Sequence, residues 1–126
     1  MAVALVARHE HGTLGVDLED LAPAREGIER RVLRPEEQAE VEALPHGRRW
    51  ISTLIRFSIK ESIYKALAPQ LRRYIDFKEA AVFPGIDGKA RVTLHLDTGP
   101  HPQRLEARYV WLHRSVLSTV RAKWGP

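Results

Sequence analysis

Two acids, Asp17 and Glu19, stand two apart in the stretch Gly15-Val16-Asp17-Leu18-Glu19. On an extended strand that spacing sends both side chains to one face, with Cα atoms about 6.6 Å apart at ~3.3 Å per residue. Carboxylates held so repel each other unless a cation lies between them. Hard divalent cations such as Mg²⁺ take oxygen ligands of this kind together with substrate phosphates. An isolated Asp-x-Glu is common, and equally compatible with two acids that face water. A second set lies in Phe57-Ser58-Ile59-Lys60-Glu61-Ser62-Ile63-Tyr64-Lys65-Ala66-Leu67. Glu61 and Lys65 are spaced i, i+4, which on a helix surface is an ordinary ion pair of about 0.3–0.5 kcal/mol. Ser58 and Leu54 continue the same face, so the pair lies on a stripe otherwise apolar or small. Such a pair belongs at the edge of a core or in a cleft. There Glu61 can complete a metal site with Asp17 and Glu19, and Lys65 can hold a phosphate. Three carboxylates beside a lysine suit Mg²⁺-dependent chemistry on phosphate esters.

The elements that must position these residues follow from periodicity. Residues 2–8, a short apolar run rich in valine, read as a buried strand. Leu14, Val16 and Leu18 alternate with Gly15, Asp17 and Glu19, the period of a half-buried strand, and the two strands form a candidate hairpin. Residues 23–33 turn helical, and Pro35-Glu36-Glu37-Gln38 opens a second helix with proline in the first turn and acids at the positive end. A longer helix is predicted over residues 48–68, stopped by Pro69. Beyond it, residues 76–83, 90–97, 106–113 and 116–124 read as strands, broken at Pro84-Gly85, Asp87-Gly88, Gly99-Pro100 and His113-Arg114. Strands in sequence joined by short turns imply an antiparallel sheet. Helices grouped in one block imply an α+β fold with the sheet packed against the long helix.

The chain has 126 residues, 44% hydrophobic and 29% charged, enough for one domain and one core. No cysteine is present, which excludes disulfides, thiolate metal sites and a cysteine nucleophile. The apolar start Met1–Val6 is too short for a signal core, and no stretch approaches the ~20 apolar residues of a membrane span. A cytoplasmic protein without membrane partners is expected. Twenty Lys and Arg against sixteen Asp and Glu leave a net charge of +4, which favours anionic partners and is also what a small domain needs for solubility.

Together the stretches at residues 15–19 and 57–67, with their order and separation, resemble the two signature motifs of the 4′-phosphopantetheinyl transferases. The closest resemblance is to the larger class serving siderophore and peptide synthetases, such as the enterobactin-synthetase component and the surfactin-pathway activator. It extends over nearly the whole chain, since the helical middle and β-rich end fit that class's repeated half-domain. The resemblance implies transfer of 4′-phosphopantetheine from coenzyme A to a serine of an acyl or peptidyl carrier protein, with release of 3′,5′-ADP. It implies that Asp17, Glu19 and Glu61 bind Mg²⁺ with the coenzyme A diphosphate, and that Glu61 takes part in deprotonating the acceptor serine. Lys65 is implied at the phosphate, and Lys60 in the same motif as a further coenzyme A contact. Glu37 matches an acid that approaches the metal in the larger class.

The smaller holo-acyl-carrier-protein synthase class has a similar Gly-x-Asp opening and Lys-Glu helix, but without an acid at the position of Glu19. Length points instead to that smaller class. The larger class also carries a Ser-His pair and a basic half-domain ahead of the strand that starts here at Ala2. The resemblance therefore implies either a C-terminal piece that associates with a missing half, or a shortened protein that completes its site by self-association.

Two other readings fit the residues. Separated acids with a lysine also describe Mg²⁺-dependent nucleases, although those place the lysine two residues after the second acid, where this chain has Ile63. A non-catalytic half that binds coenzyme A or a carrier protein is the second. The six histidines show no metal-ligand spacing. The pairs Arg30-Arg31, Arg48-Arg49 and Arg72-Arg73 read as solvated faces, any of which could meet an acidic helix of a carrier protein. No nucleic-acid partner is expected.

Overall fold

The computed structural model describes residues 12–125, so the strand expected over residues 2–8 lies outside the described residues. Five strands form one antiparallel sheet: β1 (Thr13–Asp20), β2 (Ala80–Pro84), β3 (Lys89–Leu94), β4 (Arg104–Leu112) and β5 (Ser115–Lys123), in the order β1-β5-β4-β3-β2. The helices α1 (Ile28–Val32), α2 (Pro35–Glu42) and α3 (His46–Leu71) all fall between β1 and β2. This is the expected α+β arrangement, with the long helix laid on the sheet.

Local chemistry accounts for the elements. The turn from β2 to β3 closes on Gly85 N–H, which donates to Lys89 O at 2.7 Å, and Gly88 supplies the positive φ of 87° that the turn requires. β4 and β5 run in continuous register from Arg104↔Lys123 to Leu112↔Ser115 and are joined by His113-Arg114. α2 starts at Pro35, where the missing N–H is one a helix leaves unpaired anyway, and Glu37 accepts from Arg34 N–H at 2.9 Å.

α3 is longer at both ends than the expected 48–68. Pro69 does not stop it but lies in its last turn, and the helix ends at Arg72, whose φ of 54° is left-handed. A proline that close to the end removes a single helical hydrogen bond, a cost a well-packed helix can bear. The first helix is shorter than expected, covering residues 28–32 rather than 23–33. The strand expected from residue 76 begins instead with a 3-10 turn over Phe77–Glu79.

One α3 stripe, Leu54, Ile55, Ile59, Ile63, Ala66 and Leu67, is buried against the sheet with Val82, Ala107, Val116, Val120 and Ala122. Val32 and Val41 of the shorter helices and Leu33 between them form a second buried cluster with Ile28, Phe57 and Phe77. The two faces of β1 are used in a way its alternation does not suggest. Gly15 and Asp17 are buried toward α3, whereas Leu14, Val16 and Leu18 are only half-buried on the opposite face. A Cβ on Gly15 would lie 1.8 Å from Ser62 O, so helix and strand touch backbone to backbone there. That close approach turns the acid-bearing face of β1 inward.

Candidate active site

Asp17 reaches α3 because Gly15 lets the strand in. Its side chain is buried, and Lys65 Nζ lies 3.3 Å from Oδ1 while donating to Val16 O at 2.9 Å. The other carboxylate oxygen, Oδ2, is buried and, among the described residues, accepts from no hydrogen-bond donor. A buried anion with an unused oxygen is costly unless a cation or proton supplies the missing partner.

Glu19 and Glu61 border the same point. The Glu19 carboxyl is pushed up to about 7, first by burial, then by the adjoining Asp17 carboxylate; Arg25 opposes the rise and Glu61 adds to it. Glu61 is also raised, by burial and then by the charge of Asp17, with Lys65 acting against them. The Asp17 charge raises both glutamates because like charges sharing a cleft resist joint ionisation. The structure thus brings together four of the residues singled out from sequence: Asp17, Glu19, Glu61 and Lys65. Among the described residues no three acids or histidines are already drawn in to metal-holding distance. The donors nevertheless suit a hard cation, being oxygen alone, with Asp17 Oδ2 lacking a partner among the described residues.

Two expected contacts fall elsewhere. Lys60 is buried, and its three donors are all occupied, by Val32 O at 2.5 Å, Glu37 Oε1 at 2.7 Å and Phe77 O at 3.0 Å. Burial lowers the Lys60 pKa, with Glu37 opposing. Glu37 is fully buried as well and accepts from Arg34 N–H and from Val82 N–H at 3.0 Å, with Arg56 Nε 3.8 Å away. In this structure Lys60 and Glu37 tie α1, α2 and β2 to α3 from within, rather than facing the acids. The i+1 spacing explains it, since Lys60 points about 100° around the helix from Glu61.

Of two cavities on the helical side, one reaches the acids. One of about 90 Å³ is lined by Glu61, Tyr64, Tyr74, Ile75 and Phe77. A larger one of about 440 Å³ lies between α1, α2 and the start of α3, edged by Arg25, Arg49 and Trp50 and by the acids Glu26, Glu29 and Glu42. The Arg25 guanidinium stands 5.0 Å over Phe57 and 5.9 Å over Trp50, and its charge lowers the Glu19 carboxyl. No spacing pointed to Arg25 in the sequence, because a loop arginine acquires its neighbours only in the fold.

A sequence model described as the 4′-phosphopantetheinyl transferase superfamily matches residues 13–120, which include all four residues of the cluster. The chain belongs to that superfamily. Among its relatives in the superfamily is the holo-[acyl-carrier-protein] synthase of Geobacillus kaustophilus, 29% identical over 90 residues, covering 67% of this chain and 70% of that one. The holo-[acyl-carrier-protein] synthase structure of Thermotoga maritima aligns with a TM-score of 0.74 at 20% identity, over 90% of this chain and 64% of that one. A Bacillus anthracis holo-(acyl-carrier-protein) synthase in complex with CoA (3′,5′-ADP) aligns at 0.69 with 16% identity, over 90% of this chain and 96% of that one. These relatives carry the name of the smaller class and do not confirm placement in the enterobactin and surfactin class. Among the described residues no helix is long and apolar enough to cross a membrane.

Proposed function

We propose that this chain transfers 4′-phosphopantetheine from coenzyme A to a serine hydroxyl of an acyl or peptidyl carrier protein. The observation that carries this reading is the Asp17–Lys65 contact with Glu19 and Glu61 beside it, inside the segment that matches the transferase superfamily. The acceptor oxygen forms a bond to the phosphorus that bears the pantetheine, the diphosphate P–O bond breaks, and 3′,5′-ADP leaves. Glu61, whose raised pKa makes it a better proton acceptor than an exposed acid, takes the serine proton. Lys65, half-exposed and next to Asp17, offers its ammonium to the phosphate as charge builds on the leaving group. Asp17, Glu61 and Glu19 would hold Mg²⁺, which when bound supplies positive charge to the diphosphate oxygens.

Partner association has its own support. Leu18, Leu117 and Val110 lie side by side across β1, β5 and β4 on the face away from α3, with Leu112 and Val16 nearby. Val110 and Leu112 are 50% and 41% exposed. An apolar row of this kind suits a second copy of the chain or a similar half-domain. The carrier-protein substrate implies a cytoplasmic site of action. Mass spectrometry of an apo acyl carrier protein incubated with the chain, coenzyme A and Mg²⁺ tests the reading. A carrier gaining the phosphopantetheine mass supports it, and an unmodified carrier across a range of chain concentrations argues for a non-catalytic binding half.

A further inference from the structure

Three serine hydroxyls meet inside the protein, and the chemistry proposed above does not use them. Ser58 and Ser62 are one turn apart on α3, and both reach Ser118 of β5. Ser118 Oγ lies 2.8 Å from Ser58 Oγ and 2.7 Å from Ser62 Oγ, and Ser62 Oγ lies 3.2 Å from Ser118 O. All three residues are fully buried. Three protons serve three contacts if Ser62 donates to the Ser118 carbonyl, Ser118 to Ser62, and Ser58 to Ser118.

Small size alone would let α3 approach β5, and alanine would serve for that. Hydroxyls add direction, because a seam of methyl groups tolerates a slide or rotation that three linked hydrogen bonds do not. The register so fixed is the one that matters to the acids. Ser118 stands opposite Asp17 in the β1–β5 ladder. The backbone carbonyl of Ser62 abuts Gly15, and Glu61 directly precedes Ser62, with Lys65 less than a turn further on.

We propose that Ser58, Ser62 and Ser118 are positioning residues, which hold the Glu61 and Lys65 side of α3 in register with Asp17 on β1. Their importance to the reaction rests on the transferase reading, whereas the positioning itself rests on the contacts. Two variants separate positioning from general stability. Ser118→Ala removes the shared hydroxyl, and the triple variant Ser58→Ala, Ser62→Ala, Ser118→Ala leaves no hydroxyl unpartnered, so it folds even if the single change does not.

In each background the whole chain is melted with Asp17→Asn, with Lys65→Met and with both, which yields the Asp17–Lys65 coupling. Coenzyme A binding is measured by calorimetry with Mg²⁺ and with EDTA. The coupling is expected to fall by about half or more when the hydroxyls are removed, and the EDTA-sensitive affinity to drop about tenfold while the EDTA-insensitive remainder holds. A triple variant that melts lower with the coupling and the EDTA-sensitive affinity unchanged overturns the proposal. If the parent chain shows no EDTA-sensitive binding, the transferase reading has failed instead, and the melting cycle alone decides on positioning.

Discussion

Lys65 of α3 and Asp17 of β1, 48 residues apart in the chain, meet at 3.3 Å, and the backbone contact between Ser62 and Gly15 makes that meeting possible. An alanine at position 15 would place a methyl group against Ser62 O. Helix and strand must then separate, and the Asp17–Lys65 contact with them. Gly15→Ala is expected to destabilise the chain by about 1–3 kcal/mol, as overpacking does. Chemical denaturation measures it, and a stability equal to the parent would show that the seam has room to spare.

Glu61→Gln keeps volume and fold but removes both a proton acceptor and a ligand. Transfer to a carrier protein should fall at least a hundredfold, within the range that general-base catalysis contributes. The mass-spectrometric assay reads it, with circular dichroism as the control for folding. Holo-carrier formed at the parent rate would take Glu61 out of the chemistry.

Asp17→Ala and Glu19→Ala should each weaken Mg²⁺-dependent coenzyme A binding. The double change should cost less than the sum, because both acids serve one ion and Asp17 already acts on the Glu19 carboxyl. Calorimetry with and without EDTA distinguishes the outcomes. Losses that add in full would mean that the two acids act separately.

The fold was largely legible in the sequence, and the way the site is assembled was less so. Alternation in Leu14–Glu19 marked β1 as a strand but suggested an apolar core face, whereas Gly15 and Asp17 are the buried members. The reversal has a physical cause: the helix approaches where there is no side chain, and the polar face of the strand is needed at the site. Glu61 and Lys65 could be paired from i, i+4 spacing alone. Lys60 could not be placed that way, since neighbours on a helix point in different directions and only packing shows which lies inside. Ser118 carried no signal at all, as one serine in a strand acquires its meaning from two others 56 and 60 residues away.

Acid should loosen the segment that follows α3. Glu79 accepts from Arg73 through both carboxylate oxygens, and from the N–H groups of Asp76 and Asp97. Its pKa is lowered from 4.5 to about 2, first by the Arg73 hydrogen bonds, with burial opposing. A folded-state value below the unfolded one gives stability that is fully present above pH 4.5 and is lost as pH falls toward 2. Glu79→Gln should therefore lower the melting temperature by several degrees at pH 7 and by much less near pH 2. Melting curves across that range measure it, and a gap that stays constant with pH would remove Glu79 from the acid response.

Lys60 supplies the last test, because two roles for it predict different things. If it contacted coenzyme A, Lys60→Met would weaken binding and leave stability nearly untouched. The structure gives it a buried carboxylate partner, Glu37, and two backbone carbonyls, so the change instead takes the nearer of two cations from a buried anion, leaving Arg56 Nε at 3.8 Å. Removing one member of a buried pair costs about 3–5 kcal/mol, whereas replacing both by apolar groups is often close to neutral. Lys60→Met is thus expected to be strongly destabilising, and Lys60→Met with Glu37→Leu to recover part of the loss. Recovery should be incomplete because Glu37 also accepts from the N–H groups of Arg34 and Val82, which leucine cannot satisfy. Urea denaturation of the three variants, with coenzyme A binding measured on those that fold, decides between the roles. A stable Lys60→Met chain with weakened coenzyme A binding would return Lys60 to the cofactor.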